Sequence, residues 1–213
     1  MVRIVENNDW VIFIILATMF VFIVVLQYLQ RTAGLKDFFL QAYEETANVF
    51  ASWGLVSLVF VVLLAALASD FVLVLPKEIE QISLLGYSLN KMGYSLLVLS
   101  GFYLVRYLLT ALFYLCTNDG ERLSKLQFVS AKFYFIIASL LILGNFINYY
   151  LDINPILVQQ VFPIATAVVI GFKVLFFIFN RNEILPKLWY YKILYICTLQ
   201  FPPILAVWKL LFF

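Results

Sequence analysis

The sequence predicts an all-α fold, a polytopic membrane helical bundle of about six transmembrane helices with an added interfacial amphipathic helix. Three observations predict it. The 213-residue chain is 65% hydrophobic and 12% charged, with a mean hydropathy of +1.01, whereas soluble domains carry about 25% charged residues; so few polar side chains cannot cover a water-soluble core. Six apolar runs each approach the roughly 20 residues that a helix needs to cross a hydrocarbon layer of about 30 Å. Aromatic residues stand at many of their ends, including Trp10, Tyr28, Trp53, Tyr149, Trp189 and Trp208, where amphipathic rings anchor at the headgroups.

The first run, 10–28, lies between the acidic pair Glu6 and Asp9 and the basic Arg31. Residues 34–53, GLKDFFLQAYEETANVFASW, interleave Leu35, Phe38, Phe39, Ala42, Tyr43 and Val49 with charges. At helical spacing these make an apolar face, which predicts a helix lying at headgroup level, though a partner-binding helix has the same pattern. The second run is 52–75, followed by a connection from Pro76 to Lys91 that is either similar or simply ordered. Runs 92–115 and 128–150 form the third and fourth spans. The fifth, 156–179, contains Pro163, and the sixth, 189–212, contains Pro202 and Pro203. Each proline frees a backbone carbonyl that protein or a wet cavity must satisfy, yet proline is common enough in membrane helices that a kink needs no function. Ala65, Ser69, Gly93, Gly101, Gly144 and Gly171 allow close helix contact. Spans one to three do not repeat in spans four to six, so residues 1–213 read as a single integral membrane domain.

Charge sets the orientation. The termini and the even-numbered loops carry Arg3, Lys77, Lys91 and Lys209. The odd-numbered loops carry Arg31, Lys36, Arg122, Lys125, Arg181 and Lys187, with Lys132, Lys173 and Lys192 within about two turns of the same side. Nine against four places the odd loops in the cytoplasm and both termini outside it. The first nine residues lack the basic leader of a secretory signal, and no lipidation box is present. The net charge of +2 is small and scattered, which argues against a nucleic-acid partner. Histidine is absent, removing the commonest general base and transition-metal ligand. Cys116 and Cys197 lack metal or redox spacing and are expected to pack as small apolar residues. No catalytic residue, metal site or cofactor is therefore assigned.

The stretch SGFYLVRYLLTALFYL, 100–115, sets Arg106 inside an apolar run with no carboxylate beside it. Arg106 lies nine residues, about 13 Å, from the cytoplasmic end of the third span, deeper than snorkelling relieves. At about 100° per residue Ser95, Leu99, Tyr103, Arg106, Thr110 and Phe113 form one stripe, so that face is expected to point into the bundle. Lys132 aligns with Ser139, Lys173 with Thr166 and Asn180, and Lys192 with Tyr195. Snorkelling accounts for each lysine taken singly. If Arg106, Lys132, Lys173 and Lys192 converge, with Tyr103 beside them, they form an electropositive site for an anionic headgroup, a solute or a partner carboxylate. Asp70 falls toward the opposite leaflet and is not expected to pair with Arg106.

ENNDW at 6–10, LQRTAGLKDFF at 29–39, YSLNKMGYSLL at 87–97, AKFYF at 131–135, INYY at 147–150 and ILPKLWYYKILYICTLQ at 184–200 together resemble a family of uncharacterised polytopic inner-membrane proteins of Bacteroidota. The resemblance covers the whole chain and implies a multi-pass protein of the bacterial inner membrane; it carries no site residues over.

On these grounds the leading expectation is a non-enzymatic inner-membrane protein. It would be a subunit of a bacterial envelope assembly that binds a membrane-protein partner or an anionic lipid. The alternative is a small transporter or channel for an anionic solute, with Arg106 facing the path. An intramembrane enzyme acting on lipid-linked substrates ranks last, for want of histidine, a carboxylate pair or a metal motif.

Overall fold

The computed structural model describes residues 9–29, 34–46, 48–70, 83–84, 87–88 and 90–151. It also describes 161, 164–165, 168–169, 171–173, 175–176, 190, 195 and 197. Helix α1 spans Asp9–Val24 and runs on as a π-helical turn, Val25–Leu29. After a short helix α2 (Leu35–Leu40) and a 3-10 turn (Tyr43–Glu45) comes α3, Val49–Ser69. Strands β1 (Ser83–Leu84) and β2 (Tyr87–Ser88) pair antiparallel, Ser83 opposite Ser88, in the connection to α4, Lys91–Cys116. Helix α5 is Gly120–Tyr150. The described residues of 161–176 are helical.

Four helices among the described residues are long and apolar enough to cross a membrane: Trp10–Gln27, Val49–Ser69, Lys91–Cys116 and Gly120–Tyr150. They stand where the first four spans were expected. The description thus reaches four rather than six, since 156–179 and 189–212 lie largely outside the described residues. The fourth expected span began at Phe128, but α5 starts eight residues earlier. At 1.5 Å per residue it is about 46 Å long, longer than the hydrocarbon layer. Its first turns carry charge in compensation: Arg122 pairs with Asp119 at 3.4 Å and Lys125 with Glu121 at 2.7 Å, surface pairs of little energetic weight.

Local chemistry sets the ends. The Asn90 side chain accepts from the Gly93 amide at 2.7 Å and caps α4. At the other end Asn118 adopts φ 54°, a left-handed turn that asparagine tolerates. The amides of Asn118 and Asp119 there close on the carbonyls of Leu115 and Tyr114, groups that a helix end leaves open. Asn48 enters α3 in the same left-handed conformation.

Ring contacts fix the directions. Trp10 meets Tyr149 at 5.4 Å and Phe22 meets Phe135 at 4.3 Å, so α1 runs antiparallel to α5. Phe60 meets Tyr103 and Trp53 meets Tyr107, so α4 runs antiparallel to α3. Phe60 stacks on Tyr134 at 5.0 Å, and Tyr149 donates to the Ala66 carbonyl at 2.9 Å, so α3 and α5 run in parallel. One end of the bundle thus holds Trp10, Asp70, Asn90 and Tyr149, and the other holds residues 34–48 and 117–119. Since lipid competes equally for apolar side chains, association rests on close packing and interhelical hydrogen bonds. Ala65, Ala66 and Ala68 are buried on α3. Asn145, fully buried, donates to the Leu63 carbonyl across the α3–α5 interface at 3.1 Å. Of the glycines expected at close contacts, Gly144 faces Leu67, whereas nothing described crowds Gly101 or Gly171. Phe13, Leu16 and Phe20 on α1, and Leu104, Leu108 and Leu112 on α4, are exposed, as side chains on a lipid-facing surface would be.

The expected single amphipathic helix over 34–53 is instead broken in two. Gln41 leaves the helical region with ψ 132° and Ala42 follows at ψ 157°. Phe38 is buried, and its ring and that of Phe39 lie 5.3 and 5.9 Å from Phe135. The segment therefore packs along α5, about 20 Å beyond Gly120, instead of resting at its tip. Cys116 and Cys197 are both exposed and free, contrary to the expectation that they pack inside.

Candidate functional site

The stripe carrying Arg106 faces inward. On α4, Ser95, Leu99 and Thr110 are buried and Tyr103, Arg106 and Phe113 half-buried, while Leu97, Leu104, Val105 and Leu108 on the opposite side are exposed. The facing stripe on α5 is Leu123, Gln127, Ser130 and Tyr134, spaced i, i+4, i+7, i+11 to share one side. Between the two stripes, with Trp53 of α3 and Tyr195, lies a cavity of about 50 Å³.

Tyr134 is the meeting point. Lys173, only 8% exposed, donates to its hydroxyl at 2.7 Å and sits 4.4 Å from its ring centroid. Arg106 and Tyr195 line the same cavity as Tyr134, and the Tyr103 ring meets the Tyr134 ring edge-on at 5.9 Å. A phenol has two lone pairs and one proton, so Tyr134 can accept a second bond and donate one besides that from Lys173. Phe60 stacks on the Tyr134 ring and holds it in place. On the other side of the cavity Gln127 donates to the Tyr107 hydroxyl at 3.4 Å, and Trp53 packs on the Tyr107 ring at 4.8 Å. Thr110 donates to the Arg106 carbonyl at 2.8 Å, an internal bond that turns its hydroxyl toward the helix backbone.

Arg106, Lys173 and Tyr103 are thus brought together. Lys132 is placed elsewhere: it lies about 200° around α5 from Ser130 and Tyr134, facing α2. There its ammonium donates to the carbonyls of Phe39 at 3.0 Å and Gln41 at 2.7 Å and rests 4.3 Å from the Phe128 ring centroid. The lysine closes carbonyls that the end of α2 leaves open, which a chain reversal beside apolar surface requires. Lys192 lies outside the described residues. Asp70 belongs to the far end, accepting from Tyr149 at 2.9 Å and from Asn148, and Tyr149 lies about 22 Å along α5 from Tyr134. Among the described residues no group of three or more His, Cys, Asp or Glu is placed to hold a metal.

Sequence reasoning missed Tyr134, Tyr107, Trp53, Gln127 and Ser130. Gln127 was left out because the fourth span was begun at Phe128, one residue after it.

The fold and the cavity define a class: a helical multi-pass membrane protein whose helices enclose a buried basic and tyrosine-rich site. Within that class, the chain belongs to the family described as Domain of unknown function (DUF4271), whose model matches residues 10–211. None of the curated proteins and none of the solved structures matches it.

Proposed function

We propose that the protein is a non-enzymatic, six-span subunit of a bacterial inner-membrane assembly. Both its termini lie outside the cytoplasm, and it binds an anionic group carried by a lipid or a partner protein. The observation that carries this reading is the placement of Arg106 and Lys173 beside Tyr134 between α4 and α5. Basic side chains beside a cavity lined with hydroxyl groups favour an anionic group there. The surrounding hydroxyls supply further hydrogen bonds to such a group.

Purification of the tagged protein in mild detergent, followed by native mass spectrometry, tests the reading. A lipid or protein adduct that Arg106→Gln releases is expected. A bare monomer under all gentle extraction conditions contradicts it. Uptake of an anion into proteoliposomes, abolished by Arg106→Gln, would replace it with transport.

A further inference from the structure

We infer that the cavity between α3, α4 and α5 receives a tetrahedral oxyanion of the phosphate class. This inference rests on the anion-binding reading and sharpens it to one chemistry. Three features of the cavity support it.

The first is the balance of donors and acceptors. Arg106 and the Trp53 indole can only donate, and Tyr103, Tyr107 and Ser130 each bring a hydroxyl proton. Tyr107 already accepts from Gln127, so its own proton is available to a second partner. No carboxylate lines the cavity among the described residues. A lining rich in protons and poor in anionic acceptors suits a ligand whose oxygens only accept.

The second is direction. The donors stand on three helices: Trp53 on α3, Arg106 and Tyr107 on α4, and Ser130 on α5. A carboxylate presents two oxygens in one plane and is met best by a flat guanidinium fork. Donor-bearing residues on three helices around one cavity suit oxygens that point in more than two directions.

The third is size. A cavity of about 50 Å³ exceeds the roughly 10–15 Å³ that one water needs on this measure and is far below the roughly 300–1,000 Å³ of a pocket that takes a whole small molecule. A phosphate group fits, and whatever is attached to it must stay outside. The free ion and the headgroup of a phosphate-bearing lipid share this chemistry.

The test uses the full-length protein in a non-ionic detergent, with thermal unfolding followed by tryptophan fluorescence. Inorganic phosphate, dodecyl phosphate and dodecanoate are titrated in parallel. Saturable stabilisation by at least one phosphate is expected, with dodecanoate at least about tenfold weaker. Arg106→Gln should weaken phosphate binding by at least about tenfold, the factor that a charged hydrogen bond carries. Tyr107→Phe, which keeps the ring on Trp53, should weaken it several-fold and serves if Arg106→Gln does not fold. Stabilisation by inorganic phosphate assigns a soluble oxyanion, and stabilisation by dodecyl phosphate alone assigns a lipid source; both support the inference. Dodecanoate as effective as dodecyl phosphate, no stabilisation by either phosphate, or stabilisation undiminished in both variants overturns it. A lipid or protein that still co-purifies in those cases leaves the binding-subunit reading standing.

Discussion

Removing one oxygen atom from Tyr134 should destabilise the protein far more than its volume suggests. Tyr134→Phe keeps the ring stacked on Phe60 at 5.0 Å but deletes the hydroxyl that accepts from Lys173 at 2.7 Å. A hydrogen bond to a charged group contributes about 1.5–3 kcal/mol. About 2 kcal/mol is therefore expected. Reversible unfolding in mixed detergent micelles measures it. Lys173→Met removes the donor of the same bond, so in combination with Tyr134→Phe it should recover about 1–3 kcal/mol relative to additivity. A Tyr134→Phe loss below about 0.5 kcal/mol, or strict additivity of the pair, would refute the claim that this phenol holds Lys173.

Three further outcomes follow from other parts of the bundle. Asn145→Leu, of the same branched shape but bulkier, loses the bond to the Leu63 carbonyl and should cost at least about 0.6–2 kcal/mol in the same unfolding assay, as interhelical bonds in membranes do. Lys132→Met leaves the Phe39 and Gln41 carbonyls without their donor; amide exchange across 38–41 should rise more than about tenfold by mass spectrometry while that of α3 stays put. In a background lacking Cys116 and Cys197, a cysteine replacing Asn118 should react only with reagent on the cytoplasmic side, and one replacing Asn90 only from outside. The reverse labelling would invert the orientation.

What the sequence could reveal depended on how local each cause was. The four described spans and the inward stripe of α4 follow from hydropathy and a period of 3.6 residues, so Ser95, Leu99 and Thr110 could be placed on the buried side. The role of Lys132 could not, because its acceptors lie some ninety residues earlier, on a chain reversal created where Gln41 leaves the helix. Tyr134 escaped for the same reason: nothing near it in sequence announces that Lys173, thirty-nine residues later, will reach its hydroxyl. The start of α5 was misjudged because Arg122 and Lys125 look like loop residues. They are instead the charged first turns of a helix longer than the bilayer is thick.

The most direct test of the anion site is an experimental density map of the protein extracted with its native lipids. The account predicts density for a compact oxyanion within hydrogen-bonding distance of Arg106 and Tyr107, with Lys173 on Tyr134 behind it. An Arg106 guanidinium turned out toward lipid, with side chains closing the space between α4 and α5, would contradict it.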